Sequence, residues 1–199
     1  MYQLYGTSGS GNCYKVSLLL TQLYLPFHWH EVDILKGESR SDLFLKKSRA
    51  GKVPILETPE GEVLSESNAI LFYLAKGSDF LPLEPLQEAR VLQWLFWEQY
   101  SHEPNIAVAR FHKVWGDGDL TPFADKVANG YDALALMNAH LADNLFFVGN
   151  RYTIADIGLY AYTHVAHEGG FDMKPYKNVA SWLERVSRQP GHIKMAAAK

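Results

Sequence analysis

The segment GTSGSGNCYKV, residues 6–16, places glycines, hydroxyls and an amide between a run typical of a strand, MYQLY, and one typical of a helix, YKVSLLLTQL. Where a strand turns into a helix, unpaired N–H groups and the positive end of the helix dipole attract negative charge. Ser10 and Asn12 could each donate a hydrogen bond to a bound thiolate and so lower its pKa. The spacing alone also fits a simple helix cap at one of these two residues.

Two nucleotide-binding motifs are excluded at this turn. A Walker loop needs Gly-Lys-Ser/Thr, but Gly11 is followed by Asn12 and Cys13. A dinucleotide fingerprint needs a third glycine where Tyr14 stands. Cys13 could supply a thiolate of its own, because a cysteine in the first turn of a helix is activated. It lies beyond the predicted cap and has no C-x-x-C partner, so we interpret it as a free, partly buried thiol.

The motifs GKVPIL and LSESNAIL could bind the rest of a peptide-like ligand. A cis Val53–Pro54 bond would expose the backbone of Val53 to an extended peptide, although a trans proline at a strand edge is the alternative. Ser67 could offer its hydroxyl and helical N–H groups to a carboxylate, while Glu66 could accept bonds from an ammonium. Together these two residues suit a free α-amino acid group, but SES is also a common helix-cap sequence.

Composition and charge narrow the classes of function. The chain has 199 residues, of which 47% are apolar and 21% charged, and its net charge is −3. This balance is typical of a soluble protein and offers no attraction for nucleic acid or an anionic membrane. The longest apolar run, AILFYLA, is too short to span a bilayer. The single cysteine and the lack of a visible signal peptide predict a cytoplasmic protein. The eight histidines show no third converging ligand, so no metal is expected.

Hydrophobic periodicity divides the chain into two domains. Residues 1–77 show the order β-α-β-α-β-β-α, which predicts an α/β domain with a mixed sheet. Residues 78–85 contain two prolines and predict a linker. Residues 86–199 carry only helical patterns and predict an all-α domain, in which Pro104 kinks or breaks the first long helix. The late segment YTIADI predicts a capping box, a structural feature that fixes where a buried helix begins.

These motifs in this order resemble the cytosolic glutathione transferases along the whole chain. The series runs from the Ser/Gly/Asn turn through GKVPIL and LSESNAILFYLA to the late YTIADI. The turn SGSGNCYKV most resembles the bacterial branches that use Ser and Asn rather than a catalytic Tyr or Cys. The resemblance implies a thioredoxin-like first domain, a helical second domain, a homodimer, and glutathione as co-substrate for attack on a small electrophile.

The resemblance also implies a role for each motif residue. Ser10 would face the sulfur of glutathione, with Asn12 as a second donor, and Val53 before a cis Pro54 would pair with the cysteinyl backbone. The remaining residues would hold the γ-glutamyl end (Glu66, Ser67), the glycyl carboxylate (Lys52 with Arg40) and, in a cleft between the domains, the electrophile (His102, Ile106, Arg110, Phe111).

Three functions stay open at this point. The first is a detoxifying transferase that adds the glutathione thiolate to a small electrophile, with isomerisation or peroxide reduction as variants. The second is a non-catalytic relative that keeps the fold to bind partners, and the third is a glutathione-dependent disulfide oxidoreductase. The complete set of thiolate-site residues favours the enzyme. Because Cys13 is displaced from the position that the cysteine classes use, mixed-disulfide chemistry is less favoured.

Overall fold

The computed structural model describes residues 1–197, which form two compact units. The first unit contains residues 1–76 together with the C-terminal segment from Pro190, and the second contains residues 77–189. The sequence pattern assigns everything after the linker to one helical domain, whereas the structure groups the C-terminal segment with the first unit.

Side-chain bonds to helix α1 (Gly11–Gln22) explain this grouping. The Tyr14 hydroxyl donates to the backbone oxygen of Ile193 at 2.7 Å, and Gln22 Nε2 donates to the backbone oxygen of Pro190 at 3.2 Å. Periodicity could not reveal these contacts, because the segment after the last helix has no regular structure of its own.

The first unit follows the predicted order of strands and helices. Before α2 lies a short 3-10 turn, Glu38–Arg40. Besides α1, the elements are β1 (Tyr2–Gly6), β2 (Phe27–Glu31), α2 (Asp42–Lys47), β3 (Ile55–Glu57), β4 (Val63–Ser65) and α3 (Ser67–Ala75). The sheet order is β2-β1-β3-β4, with β1 parallel to β2 and antiparallel to β3, and with β3 antiparallel to β4. The predicted mixed sheet is therefore confirmed.

Helix α1 lies against the sheet and against α3. Its apolar residues recur at helical spacing, and Val16, Leu19 and Leu20 are fully buried. The end of β1 is a glycine for a steric reason: a Cβ on Gly6 would lie 3.0 Å from the Cβ of Cys13 and 2.7 Å from the Trp29 ring. Gly6 thus allows the first turn of α1 to come close to the strand before it.

The second unit is helical, as the sequence predicts. Short 3-10 turns cover Thr121–Phe123 and Ala166–Gly169, and a π-helical turn covers Glu98–His102. The longer helices are α4 (Pro85–Trp97), α5 (Glu103–Trp115), α6 (Ala124–Asp143), α7 (Ile154–Thr163) and α8 (Lys177–Ser187). The fold class predicted from the sequence, α/β followed by all-α, is therefore confirmed.

The break expected at Pro104 takes the form of the π-helical turn between α4 and α5. Pro104 then falls in the first turn of α5, where its missing N–H costs no helical hydrogen bond. A π turn adds one residue to a helical turn, so residues after it are rotated relative to those before it.

Helix α7 begins with the predicted capping box. The Thr153 hydroxyl accepts from the Ala155 N–H, and the Asp156 carboxylate accepts from the Thr153 N–H at 2.9 Å. Asp156 is fully buried and also accepts from the Phe147 N–H at 3.1 Å and from Trp182 Nε1 at 3.0 Å. The carboxylate thus joins three segments of the helical unit, which is a structural role.

Candidate functional site

Ser10 is the N-cap of α1. Its backbone is extended, and its Oγ accepts a bond from the Cys13 N–H at 3.4 Å. Gly9 has φ +82°, a conformation that favours glycine, and the turn is closed by a bond from the Ser10 N–H to the Thr7 oxygen at 3.1 Å. A serine hydroxyl has one proton besides its acceptor lone pairs. Capping therefore uses the Ser10 oxygen as acceptor and is compatible with donation of its proton to a ligand.

Asn12 and Ser67 bring the two halves of the predicted site together. The Ser67 hydroxyl, at the first position of α3, donates to Asn12 Oδ1 at 3.1 Å. With Oδ1 turned to Ser67, Nδ2 lies on the opposite branch of the carboxamide. The turn before α1 and the start of α3 thus form one polar junction, which we call the helix-start junction: Ser10, Asn12 and Ser67.

Lys15 completes this junction from the interior. It is fully buried, and its Nζ lies 3.4 Å from Ser67 Oγ and 3.3 Å from Asn68 Oδ1. None of the sequence motifs assigns a role to Lys15. Its position nevertheless indicates burial, because it shares a helical face with Leu18, Leu19 and Gln22, all of them buried.

Glu66 precedes α3 in an unusual backbone conformation. Its φ of +65° is rarely adopted by a residue other than glycine. Such positions cluster at ligand sites, where the surrounding structure holds them. The Glu66 side chain is exposed and makes no capping bond to α3. It is therefore placed where it could accept bonds from a ligand.

The loop before β3 contains the other expected contacts. The Val53–Pro54 bond is cis, as the resemblance implies. Lys52 is exposed, and Arg40 reaches the same loop by donating from Nη1 to the Ala50 oxygen at 3.0 Å. The structure therefore brings Arg40 to the segment that carries Lys52, although ten positions separate Arg40 from Ala50.

The four residues expected to line an electrophile pocket do not share one surface. His102 is fully buried with Nε2 2.8 Å from Thr163 Oγ1, and Ile106 belongs to a buried core cluster. Arg110 is 2% exposed, and its Nε donates to Glu168 at 2.7 Å. Phe111 alone of the four is exposed, at 38%. His102, Ile106 and Arg110 follow one another at intervals of four and lie on the buried side of this helical segment, whereas Phe111 is one position further round.

A cavity of about 430 Å³ lies beside Ser10 in the first unit. Its lining includes the β1–α1 turn (Thr7, Ser8, Gly9, Ser10), α1 (Tyr14, Ser17), β2 (Trp29, Glu31) and the C-terminal segment (Ile193, Lys194, Met195, Ala196). Sequence patterns do not predict this cavity, because half of its lining residues belong to β2 and the C-terminal segment, which are distant from the β1–α1 turn along the chain.

One wall of the cavity is held by Glu31. Its carboxylate accepts from the Ser8 N–H at 2.8 Å, from the Ser8 hydroxyl at 2.7 Å and from Trp29 Nε1 at 2.8 Å. These bonds fix the indole and the turn before α1 relative to each other. The wall next to Ser10 is therefore ordered and combines a flat aromatic face with hydroxyl groups.

Cys13 does not provide a thiolate in this fold. Its side chain is fully buried rather than partly buried, and its Sγ accepts a weak bond from the Thr7 N–H at 3.4 Å. Burial raises the pKa of the thiol from 9.0 to about 11, against the lowering effect of the Ser10 and Thr7 bonds. The thiol is therefore protonated near neutral pH and does not supply the negative charge that a helix N-terminus favours.

Two further features are absent from residues 1–197, the part of the chain that the structure describes. Within this range, the structure shows no group of three or more His, Cys, Asp or Glu side chains arranged to hold a metal ion. In the same range, we find no helix with the length and apolar character required to cross a membrane.

Family models match both parts of the chain. One, described as glutathione S-transferase, N-terminal domain, covers residues 4–79, and one described as glutathione S-transferase, C-terminal domain, covers residues 117–185. The chain is 30% identical to glutathione S-transferase 2 of Anopheles gambiae, over 96% of this chain and 93% of that protein. It is also 30% identical to the disulfide-bond oxidoreductase YfcG of Escherichia coli, over 90% of this chain and 87% of that protein.

Solved structures show the same similarity. A glutathione S-transferase from Pseudomonas fluorescens is 49% identical, with a TM-score of 0.95 and 98% of each chain covered. A glutathione transferase from Pseudomonas putida, solved with one glutathione disulfide bound per subunit, is 26% identical, with a TM-score of 0.84. The second match covers 96% of this chain and 88% of that one.

Proposed function

The chain belongs to the glutathione S-transferase family, and we propose that it is a transferase that adds the sulfur of glutathione to a small, soft electrophile. The observation that carries the proposal is the helix-start junction. It places the Ser10 hydroxyl and the Asn12 amide at the N-terminus of α1 and joins Asn12 to Ser67, the first residue of α3. This arrangement suits an anionic sulfur at one helix and an amino acid carboxylate at the other.

The residues around the junction suit the other parts of glutathione. The exposed Glu66 carboxylate would bind the γ-glutamyl ammonium, and the N–H of Ser67 at the start of α3 would bind its carboxylate. The backbone of Val53, before the cis Pro54, would pair with the cysteinyl residue. Lys52, supported by Arg40 in the same loop, would bind the glycyl carboxylate.

The ionisation of the thiol follows from hydrogen bonding and the helix dipole. A free cysteine thiol has a pKa of about 8.5 and is mostly protonated at neutral pH. The Ser10 hydroxyl and Asn12 Nδ2 would donate to the charged sulfur, and the 12-residue α1 directs its positive end to the same place. Together such contacts supply about 1 to 3 kcal/mol. About 2 kcal/mol lowers the thiol pKa from about 8.5 to about 7, so the upper part of this range makes the thiolate the main form at neutral pH. The thiolate then forms the new sulfur–carbon bond, and the electron pair of the broken bond leaves with the leaving group or is protonated by water.

We place the electrophile in the cavity beside Ser10. Trp29 offers a flat aromatic face, while Met195 and Ile193 offer apolar contacts and the serines offer hydroxyls. This lining suits a small molecule with an unsaturated or aromatic part and a polar substituent. Of the four helical residues that the resemblance assigns to the electrophile, Phe111 is exposed and could contact a ligand, whereas His102, Ile106 and Arg110 are buried and would act only through packing.

Two measurements on the wild-type protein test this proposal. The thiolate of bound glutathione is followed by ultraviolet absorbance against pH, and conjugation of a chromophoric aryl halide is followed by its colour. We expect a bound thiol with a pKa below that of free glutathione, and turnover that saturates with glutathione. Absence of binding would contradict the proposal, and binding without turnover would indicate the non-catalytic alternative.

Glutathione-dependent disulfide reduction is a second candidate. It is supported by the similarity to a bacterial disulfide-bond oxidoreductase and by the related structure that holds glutathione disulfide. The glutathione thiolate would attack a substrate disulfide, which forms a mixed disulfide and releases one substrate thiol. A second glutathione thiolate would then attack the glutathione sulfur of the mixed disulfide, which releases the other substrate thiol and forms glutathione disulfide. This chemistry needs the same Asn12 contact to sulfur. Reduction of a small disulfide by wild type and by Asn12→Ala, compared with conjugation by both, tells which reaction the site favours.

The homodimer implied by the resemblance is also part of the proposal. It is supported by large apolar side chains that stand exposed on α4 and the π turn, namely Leu86, Phe96 and Tyr100. Light scattering during size-exclusion chromatography would show twice the chain mass of 22.5 kDa. We propose a cytoplasmic location, because the sequence has a single cysteine and so fits a reducing compartment. The proposed role in detoxification rests on the conjugation of small electrophiles.

A further inference from the structure

The ammonium of Lys15 sets the direction of a buried hydrogen-bond chain. Its Nζ approaches two oxygens, Ser67 Oγ at 3.4 Å and Asn68 Oδ1 at 3.3 Å. An ammonium has three N–H donors and no acceptor, so Lys15 can only donate in both contacts. Ser67 Oγ therefore receives a bond from the lysine, and its own proton must go elsewhere.

That proton goes to Asn12. The Ser67 hydroxyl donates to Asn12 Oδ1 at 3.1 Å, so the amide oxygen faces Ser67 and the NH2 group lies on the other branch. A carboxamide has nearly the same shape in its two flipped orientations, and a hydroxyl can either accept from the nitrogen or donate to the oxygen. Without the cation, both orientations of Asn12 would satisfy Ser67. With it, the flipped orientation would turn the partly positive NH2 group toward the cation and would take away the Asn12 oxygen that accepts the hydroxyl proton.

We infer that Lys15 is a positioning residue, which acts through Ser67 to make Asn12 present its NH2 group, and not its carbonyl oxygen, to the sulfur of the ligand. The identity of that sulfur rests on the proposed function, but the direction of the Lys15–Ser67–Asn12 chain does not. A carbonyl oxygen turned to a thiolate would repel it, whereas an N–H group stabilises it. The buried cation therefore controls whether the site favours or opposes ionisation of the thiol.

A simple field effect of the positive charge is the competing explanation, and it makes a different prediction. A charge that acts through space would stabilise a thiolate whether or not Ser67 carries a hydroxyl. A charge that acts through the hydrogen-bond chain would lose its effect when the hydroxyl is removed. The two explanations are therefore separated by combining the Lys15→Met and Ser67→Ala substitutions.

The first test needs no ligand. In the nitrogen-15 correlation spectrum of the free protein, the side-chain NH2 pair of Asn12 is assigned by its loss in Asn12→Asp. We expect one pair of resonances in wild type, and a shifted or second pair in Lys15→Met, because the amide then occupies the flipped orientation. Resonances that are the same in both proteins would overturn the inference. This measurement decides the bond direction even if the protein binds no glutathione.

The second test measures the bound thiol by ultraviolet titration. Lys15→Met and Ser67→Ala should each raise its pKa by about one unit, and the double variant should raise it no further. The rate of conjugation should fall near neutral pH and recover above the raised pKa, which a merely structural defect would not allow. Additive shifts in the double variant would overturn the inference in favour of the field effect.

Two further variants distinguish the positioning role of Lys15 from a general effect of removing a lysine and from a loss of folding. Lys47→Met removes a lysine from the same unit, where it pairs with Glu57, and should leave the thiol pKa as in wild type. Lys15→Arg keeps a cation that can only donate, so its Asn12 NH2 resonances should remain as in wild type and differ from those of Lys15→Met. If Lys15→Met fails to fold, Ser67→Ala still tests the chain, because it keeps the charge and removes only the hydroxyl. An unshifted pKa in Ser67→Ala would overturn the inference.

Discussion

The phenol of Tyr14 donates a hydrogen bond to the backbone oxygen of Ile193 at 2.7 Å, which joins residues 179 positions apart. Tyr14 lies in the first turns of α1, close to the Ser10 cap, and both residues line the same cavity. The C-terminal segment thus forms part of the proposed electrophile site only while this bond, and the Gln22 bond to Pro190, hold it against the helix.

Loss of the Tyr14 hydroxyl should loosen the C-terminal segment that lines the cavity, residues 193–196. Tyr14→Phe removes one bond worth about 1 kcal/mol and leaves the ring in place. We expect faster amide hydrogen exchange over residues 193–196 and a changed KM for the electrophile, with an unchanged KM for glutathione. Tyr24→Phe is the matched control, because Tyr24 is 82% exposed. Equal exchange rates in wild type and Tyr14→Phe would contradict the prediction.

Ser10 should contribute both a cap and a hydrogen bond to sulfur. Ser10→Ala is expected to lower the free energy of unfolding by about 1 kcal/mol, as loss of an N-cap does. It should also lower kcat at neutral pH about tenfold, if the bond to sulfur accounts for one pKa unit of the thiol. Urea unfolding and the pH profile of kcat measure the two effects separately.

Ser41 provides the control for the Ser10 prediction. It caps α2 in the same way, with its Oγ accepting from the Phe44 N–H at 3.3 Å. Ser41→Ala should therefore cost a similar amount of stability and leave kcat unchanged. If Ser10→Ala behaves like Ser41→Ala in both measurements, Ser10 is only a cap.

The buried thiol of Cys13 should not react in the folded protein near neutral pH. With its pKa raised from 9.0 to about 11 by burial, only about one molecule in 10⁴ carries a thiolate at pH 7. We expect alkylation by iodoacetamide to follow global unfolding, and Cys13→Ala to keep both conjugation and disulfide reduction. Rapid labelling of the native protein at neutral pH would contradict this, and would reopen mixed-disulfide chemistry on the protein itself.

Local sequence signals predicted the fold and the two separate halves of the site. The Ser10 cap, the capping box at Thr153 and the strand and helix order all depend on residues close in sequence, where periodicity and capping rules apply. The cis Val53–Pro54 bond came from the family resemblance, since base rates alone favour a trans bond. Local rules therefore located most of the polar residues that meet in the first unit.

Contacts between distant residues could not be read in the same way. The burial of Lys15 depends on α3 covering the face of α1 that carries it, and the position of the C-terminal segment depends on contacts such as those of Tyr14 and Gln22. The interior position of His102 depends on its contact with Thr163, which lies 61 positions away along the chain. In each case a tertiary contact, and not local propensity, decides what the side chain faces.

The buried carboxylate of Asp156 should make the stability of the protein depend on pH. Burial raises its pKa from 3.8 to about 6, so its protonation stabilises the folded state below pH 3.8, and this stabilisation is lost as the pH rises through about 6. Asp156→Asn does not titrate, and its NH2 group replaces one carboxylate oxygen, so that it faces either the Thr153 N–H or the N–H groups of Phe147 and Trp182. We expect it to lower the free energy of unfolding by about 3 kcal/mol and to remove this pH dependence. Urea unfolding of both proteins across this pH range measures the difference, which should shrink as the pH rises; a constant difference would show that Asp156 has the same pKa in the folded and unfolded states and would contradict the prediction.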